Sequence, residues 1–348
     1  MRSAIYIPMN MAASIHQILP LACPAIQYRI RRELLCQSPD LPEMIDLQNR
    51  ILRQDAVQNV IHSQQPDGWL AWTFHGYGSM ESGMRLLCEM GIEPTQLVLV
   101  RALQALKQHT DRLARGLGRV GKILDDLGFG GAETIRAYLF AHAGCEESPL
   151  VQEQVGQTLD VFKSVTGIES LESLCEPHQG KLVFRTGIRW PGIYHLRLLA
   201  LTQSWRTPEN LSMVVAAIQQ MVRLSPVPSI HVRYKSQLIA PASFCMDNFV
   251  PDMHALTDAE WMQWFQRMEL LACLGVIQKI PGLRQQVQTL AEILHQGQGL
   301  FTGKVNHAYF HKWGAYTGLA LEADWRLSQR RINDLTFRSL LILRCSEK

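Results

Sequence analysis

The chain has 348 residues, 47% of them apolar, with a net charge of +3. That is enough apolar surface for a large core and too little basic excess to suggest a nucleic-acid partner. Its eight cysteines form no CxxC pair, which argues for buried free thiols in a reducing, cytoplasmic setting and against a disulfide framework; no apolar run reaches the roughly 18 residues of a membrane-spanning helix.

Residues 1–40 read as an N-terminal helical extension, a helix pair with Arg29, Arg31 and Arg32 on the solvent side. Met9 or Met11 could serve as alternative starts, which would leave residues 1–10 outside the functional chain. Residues 41–348 read as a single domain that opens on a helix over 42–63 and continues as helical hairpins. In each hairpin an almost wholly apolar first helix is followed by a turn and an amphipathic second helix: SGMRLLCEMG then LVLVRALQALK, IRAYLFAHAG then LVQEQVGQTLDVFK, YHLRLLAL then ENLSMVVAAIQQMVRL, RMELLACLG then LRQQVQTLAEIL. A fifth is read in AYTGLALEADWRLSQRRINDLTFRSLLIL, with the stretch Gly299–Leu319 supplying its lead-in loop and apolar helix. Pro94, Pro149, Pro208 and Pro281 sit in the first four turns, at or ahead of the first turn of the second helix, where a missing N–H costs nothing.

A helix apolar all round is buried, and an amphipathic one covers it. Units that cannot bury their own first helix must stack or close. The expected fold is therefore all-α, an α/α toroid of five to six hairpins with inner and outer rings, an open solenoid being the alternative. Parallel inner helices would bring their preceding Gly-aromatic loops to one end, which would hold the pocket.

Several constellations lie at that expected end. Trp69, Trp72, Trp190, Trp264 and Trp313 are candidate walls for a substrate or a cation. Lys181, Arg185, Arg189, Lys235 and Lys304 could hold a diphosphate or carboxylate, with Arg189 and Lys235 the favoured pair. Candidate acids and bases are Asp247, Asp126 beside Asp125, Glu81 at the start of the first inner helix, and His75. His307 and His311, four residues apart, could face one ion from a single helix turn, with Cys245 and Asp247 from the irregular segment 230–258 completing a set that zinc accepts; plain packing of the same residues is the alternative.

The run Gln64-Gln65-Pro66-Asp67-Gly68-Trp69 resembles the glutamine-tryptophan repeat of the squalene-hopene cyclase and protein prenyltransferase group. Cys245 and Asp247 followed by His311 in Tyr309-Phe310-His311 are similar to the zinc ligands of farnesyltransferase β subunits, although here the order is Cys-x-Asp and not Asp-x-Cys. The resemblance implies a toroid enzyme, with zinc as the assisting metal, acting on a hydrophobic substrate of the isoprenoid kind in a central cavity. The class II cyclase motif DxDD is absent, as are GxxxxGK[ST] and GxSxG, and no nucleotide cofactor is expected. Two other functions remain open: a glycan lyase or hydrolase using Glu81 or Asp126 with tryptophans as sugar platforms, and a non-catalytic module binding a peptide or small ligand.

Overall fold

The computed structural model describes residues 11–347; the alternative starts before Met11 concern residues outside these. Helices α1 (Met11–Ile18), α2 (Pro24–Arg29), α3 (Pro42–Leu52) and α4 (Asp55–His62) lead to α5 (Met80–Glu89) and α6 (Leu97–Gln108), then α7 (Arg119–Asp126), α8 (Ala132–His142), α9 (Pro149–Val165) and the single turn α10 (Leu171–Leu174). Strands β1 (Cys175–His178) and β2 (Lys181–Phe184) precede α11 (Ile193–Leu201) and α12 (Pro208–Leu224). Strands β3 (Ile230–Tyr234) and β4 (Gln237–Ile239) precede α13 (Asp258–Leu274), α14 (Pro281–Gln296), the short α15 (Ala308–His311) and α16 (Ser328–Ser346).

Local chemistry accounts for the helix ends. Pro149, Pro208 and Pro281 open α9, α12 and α14, where proline's fixed φ suits the first turn. Reciprocal Ser79–Ser82 and Thr257–Glu260 capping boxes start α5 and α13, satisfying amides that have no intrahelical partner. The five helices α5, α8, α11, α13 and α16 are buried along most of their length. In chain order each packs on the next. The amphipathic α6 lies against α5, α9 against α8 and α12, and α14 against α16.

The all-α expectation is corrected by a four-stranded mixed sheet in the order β1-β2-β3-β4, so the chain is mainly helical α/β and an α/α toroid is not what it presents. β1 and β2 form a hairpin whose two-residue turn, Gln179-Gly180, has positive φ at both positions, the backbone that matches strand twist. β3 and β4 form a second hairpin, and β2 pairs parallel with β3 across the α11–α12 crossover. The strands are three to five residues long, too short for alternation to stand out.

Two further expectations change. The Gly299–Leu319 stretch is largely irregular, with one helical turn, and the buried helix of the last unit is α16. Arg29 does not face solvent: its guanidinium lies over the Phe337 ring at 5.1 Å and bonds Glu33 at 2.6 Å and Glu89 at 2.9 Å. Arg338, 1% exposed, meets Glu269 at 2.8 Å and Glu89 at 3.4 Å. One buried ionic cluster thus joins α2, α5, α13 and α16. Burial would raise Glu89, but Arg29 and Arg338 hold it well below the usual carboxylate range.

Acid should loosen this core. Burial pushes His142 and His195 down to about 4. An unfolded histidine titrates near 6.5, so between about pH 6.5 and 4 the unfolded chain binds more protons and stability falls as pH falls, by on the order of 3 kcal/mol per histidine. Asp334, pushed up to about 6 by burial, works the other way over about pH 4 to 6, and two groups outweigh one. Denaturant titrations at pH 7 and 4.5 should show the loss, and the double variant His142→Gln, His195→Asn should flatten it; an unchanged slope would reject this assignment.

Candidate functional site

The first turns of α5 and α11 meet. Glu81 in α5 is fully buried, its carboxylate bonded to His75 Nδ1 at 2.7 Å and to the Tyr194 hydroxyl of α11 at 2.6 Å, with Arg197 Nη1 at 3.8 Å. The α5 N-terminus adds a favourable dipole for the anion. Desolvation would raise Glu81, yet the His75 bond and charge, with Arg197 and Tyr194, hold it below its ordinary value. Burial, then the Glu81 charge, push Tyr194 far up. The pair is poised as an ionised carboxylate and a protonated phenol.

Around it, Tyr316 packs against His75 at 5.7 Å and Tyr194 at 5.9 Å, Tyr138 against Tyr194 at 6.1 Å, and Phe244 stacks on Tyr316 at 5.8 Å. Burial pushes Tyr316 up to about 12. His75 and Tyr316 are partly exposed, whereas Glu81 and Tyr194 are buried. Beside His75 in the chain, Trp72 and Tyr77 are 68% and 70% exposed, under Arg115 at 4.5 Å and Lys312 at 5.2 Å.

The centre holds more positive than negative charge. Arg85, Arg197 and Arg267 are each 2–3% exposed. Arg85 bonds the Thr317 and Gly318 carbonyls, Arg197 the Ala315 carbonyl at 2.9 Å, and Arg267 the Cys245 carbonyl at 2.9 Å. In the amide orientation that satisfies both its ends, Gln266 accepts from Arg197 at 2.6 Å and Arg85 at 3.2 Å. Among the described residues Glu81 is the one carboxylate within salt-bridge distance of any of the three, and the Nε atoms of Arg85 and Arg267 have no partner. Burial and the neighbouring Arg197 pull Arg85 down to about 10.

The other expected residues lie elsewhere. Trp69 and Trp264 are core side chains with no exposure, Trp264 donating to Gln286 at 2.7 Å. Trp313, half-buried, lies beneath Arg85 at 5.2 Å and so does border the site. Trp190 and Asp247 share the wall of a separate cavity of about 290 Å³ with Phe244 and Cys245. Asp126 is exposed and paired with Lys122 at 2.9 Å, while Asp125 accepts from the Gly131 and Glu133 amides at 2.7 and 2.9 Å, capping α8. Lys235 occupies the β3–β4 turn with positive φ, and Arg189 lies on the surface behind that sheet.

The residues proposed for zinc are not gathered at one point in this structure. His307 is the N-cap of α15, outside its helical backbone, and its Nδ1 accepts the Tyr309 amide at 3.1 Å, so it does not share a helix face with His311. His311 packs edge-on to Trp325 at 4.8 Å. Burial pushes the Cys245 thiol up to about 12. Among the described residues no three His, Cys, Asp or Glu side chains converge.

Sequence reasoning missed Tyr194, Tyr316, Arg85, Arg197 and Arg267. A usable signal was present: an arginine within the apolar part of each buried helix, at Arg85, Arg136, Arg197, Arg267 and Arg338. It also passed over Gly116-Leu117-Gly118-Arg119-Val120-Gly121, which has the GxGxxG spacing; a 3₁₀ turn (Thr110–Ala114) precedes it in place of the strand that a dinucleotide site requires.

Compared with known protein families, curated proteins and solved structures, the chain matches none. No helix among the described residues is long and apolar enough to cross a membrane.

The two kinds of buried arginine should respond differently to removal. Arg338→Met strands Glu269 and leaves Glu89 with Arg29 alone, and should cost about 3–5 kcal/mol. Arg85→Met also relieves an uncompensated buried charge, which offsets its lost carbonyl bonds, so its cost should be about 1 kcal/mol or less. Chemical denaturation of the two variants checks this ordering.

Proposed function

We propose that the chain is an enzyme that performs acid–base chemistry on a polar, anionic substrate at Glu81, His75 and Tyr194, with a lyase-type reaction on an acidic glycan as the form these residues support best. The observation that carries this reading is the buried Glu81 carboxylate bonded at once to His75 and Tyr194 beneath a surplus of buried guanidinium.

Hydrolysis by paired carboxylates needs a second acid at a set separation. The other glycan candidate, Asp126, is exposed and paired with Lys122. The set suits proton abstraction from a carbon beside a substrate carboxylate. Glu81 fixes the His75 tautomer through Nδ1, leaving Nε2 as the base. Arg197, with Arg85 close by, neutralises the substrate carboxylate as negative charge develops on it. The C–O bond then breaks, and the departing oxygen takes a proton from Tyr194 or Tyr316, both held in the phenol form. Trp72 and Tyr77 offer exposed aromatic faces for sugar rings, with Arg115 and Lys312 supplying positive charge at the rim.

A second reading, an isoprenoid or other hydrophobic substrate with Asp247 as the acid, is favoured by the cavity that Phe184, Trp190, Phe244 and Met246 line beside Asp247. The two readings place the chemistry on different residues. Incubated with polygalacturonate and alginate, the protein should release unsaturated uronyl products detectable by ultraviolet absorbance. Glu81→Gln and His75→Ala should each lower that rate about 10²–10⁴-fold, and Asp247→Asn should leave it unchanged. Turnover of a prenyl diphosphate that Asp247→Asn abolishes and Glu81→Gln spares would overturn the glycan reading in favour of the second.

A further inference from the structure

The sheet that the sequence did not disclose builds a second cavity, of about 280 Å³, between β2, β3 and the loops after α7 and β2. Three guanidiniums line it: Arg185, Arg189 and Arg233. Leu182 lies opposite Ile230 and Val183 opposite His231 in the parallel pair; Arg185 follows the end of β2 and Arg233 lies in β3. Three guanidiniums around one cavity repel one another, so this placement favours a counter-charge. Arg189 approaches from the β2–α11 loop, its side chain running against Gly128; a Cβ there would come within 3.0 Å of Arg189 Cδ, and Gly128 has φ of +76°.

The protein supplies little of that counter-charge. Arg185 pairs with Glu176 at 3.1 Å, and the carboxylate on the cavity wall, Asp126, is taken by Lys122 at 2.9 Å. Arg189 and Arg233 have no carboxylate within salt-bridge distance among the described residues. The cavity is not polar throughout: Phe129 and Phe184 pack together at 4.8 Å and form its apolar side.

We infer that this cavity binds a small organic phosphate monoester, its phosphate held by Arg189, Arg233 and the Thr186 hydroxyl and its organic part laid against Phe129 and Phe184. Two unpaired guanidiniums match the charge of about −1.5 to −2 on a phosphate monoester better than a single carboxylate does, and their planar forks match phosphate oxygens in pairs. The site is separate from Glu81 and does not depend on the reaction proposed there.

Calorimetric titration of the full chain with phenyl phosphate and with inorganic phosphate tests it. One phenyl phosphate per chain is expected, bound at least tenfold more tightly than inorganic phosphate and weakened at least tenfold in Arg189→Ala and in Arg233→Ala. Should either alanine variant lose its helical circular dichroism, Arg189→Gln or Arg233→Gln replaces it. Absence of saturable phenyl phosphate binding to the wild type, equal affinity for the two probes, or variants that bind as the wild type does would each overturn the inference.

Discussion

The fold turns on a guanidinium. Arg338 sits in the middle of the last helix, reaches Glu269 of α13 and Glu89 of α5, and shares Glu89 with Arg29 of α2. Two carboxylates and two guanidiniums withdrawn from water are stable only while each keeps its partners. The requirement is geometric: α2, α5, α13 and α16 must all arrive for every one of the four charges to keep all its partners. Apolar packing could tolerate a shifted helix; this cluster cannot, and the remaining buried helices pack into the frame that it sets.

The Glu81 centre uses the same residue types under the opposite condition. At Arg338 the charges are matched, and at Arg85, Arg197 and Arg267 they are not. Matched charges serve a structure, whereas an excess held dry by the fold is an imbalance that the packing itself leaves standing. The tyrosines and His75 surrounding Glu81 are groups that can move or hold a proton, and nothing in the packing of α5 against α8 requires them there.

Much of the architecture was legible from helical periodicity and from proline. The hairpins α5–α6, α8–α9, α11–α12 and α13–α14 lie where alternating apolar and amphipathic segments put them, because burial of a whole helix leaves a composition that local sequence can carry. The strands were not legible: a three-residue strand such as Gln237–Ile239 has no period, and its pairing is decided by a partner outside the segment. The last unit misled because Ala315, Leu319 and Ala320 are buried without being helical, and burial without periodicity mimics a helix in a small-residue run. Of the site, Glu81 and His75 were legible as a helix-start acid and a loop histidine. Tyr194 and Arg197 were not, since one turn of α11 looks like any other until Glu81 is placed against it.

The parallel pairing of β2 with β3 has a consequence for the order of assembly. These strands lie on either side of the whole α11–α12 hairpin, so their ladder closes a long loop, at an entropic cost that the two local β-hairpins do not bear. The helical hairpins have only local turns to make. Tyr194 and Arg197 ride on α11 inside that loop, so closing the β2–β3 ladder and placing these two side chains against Glu81 draw on the same long-range contacts.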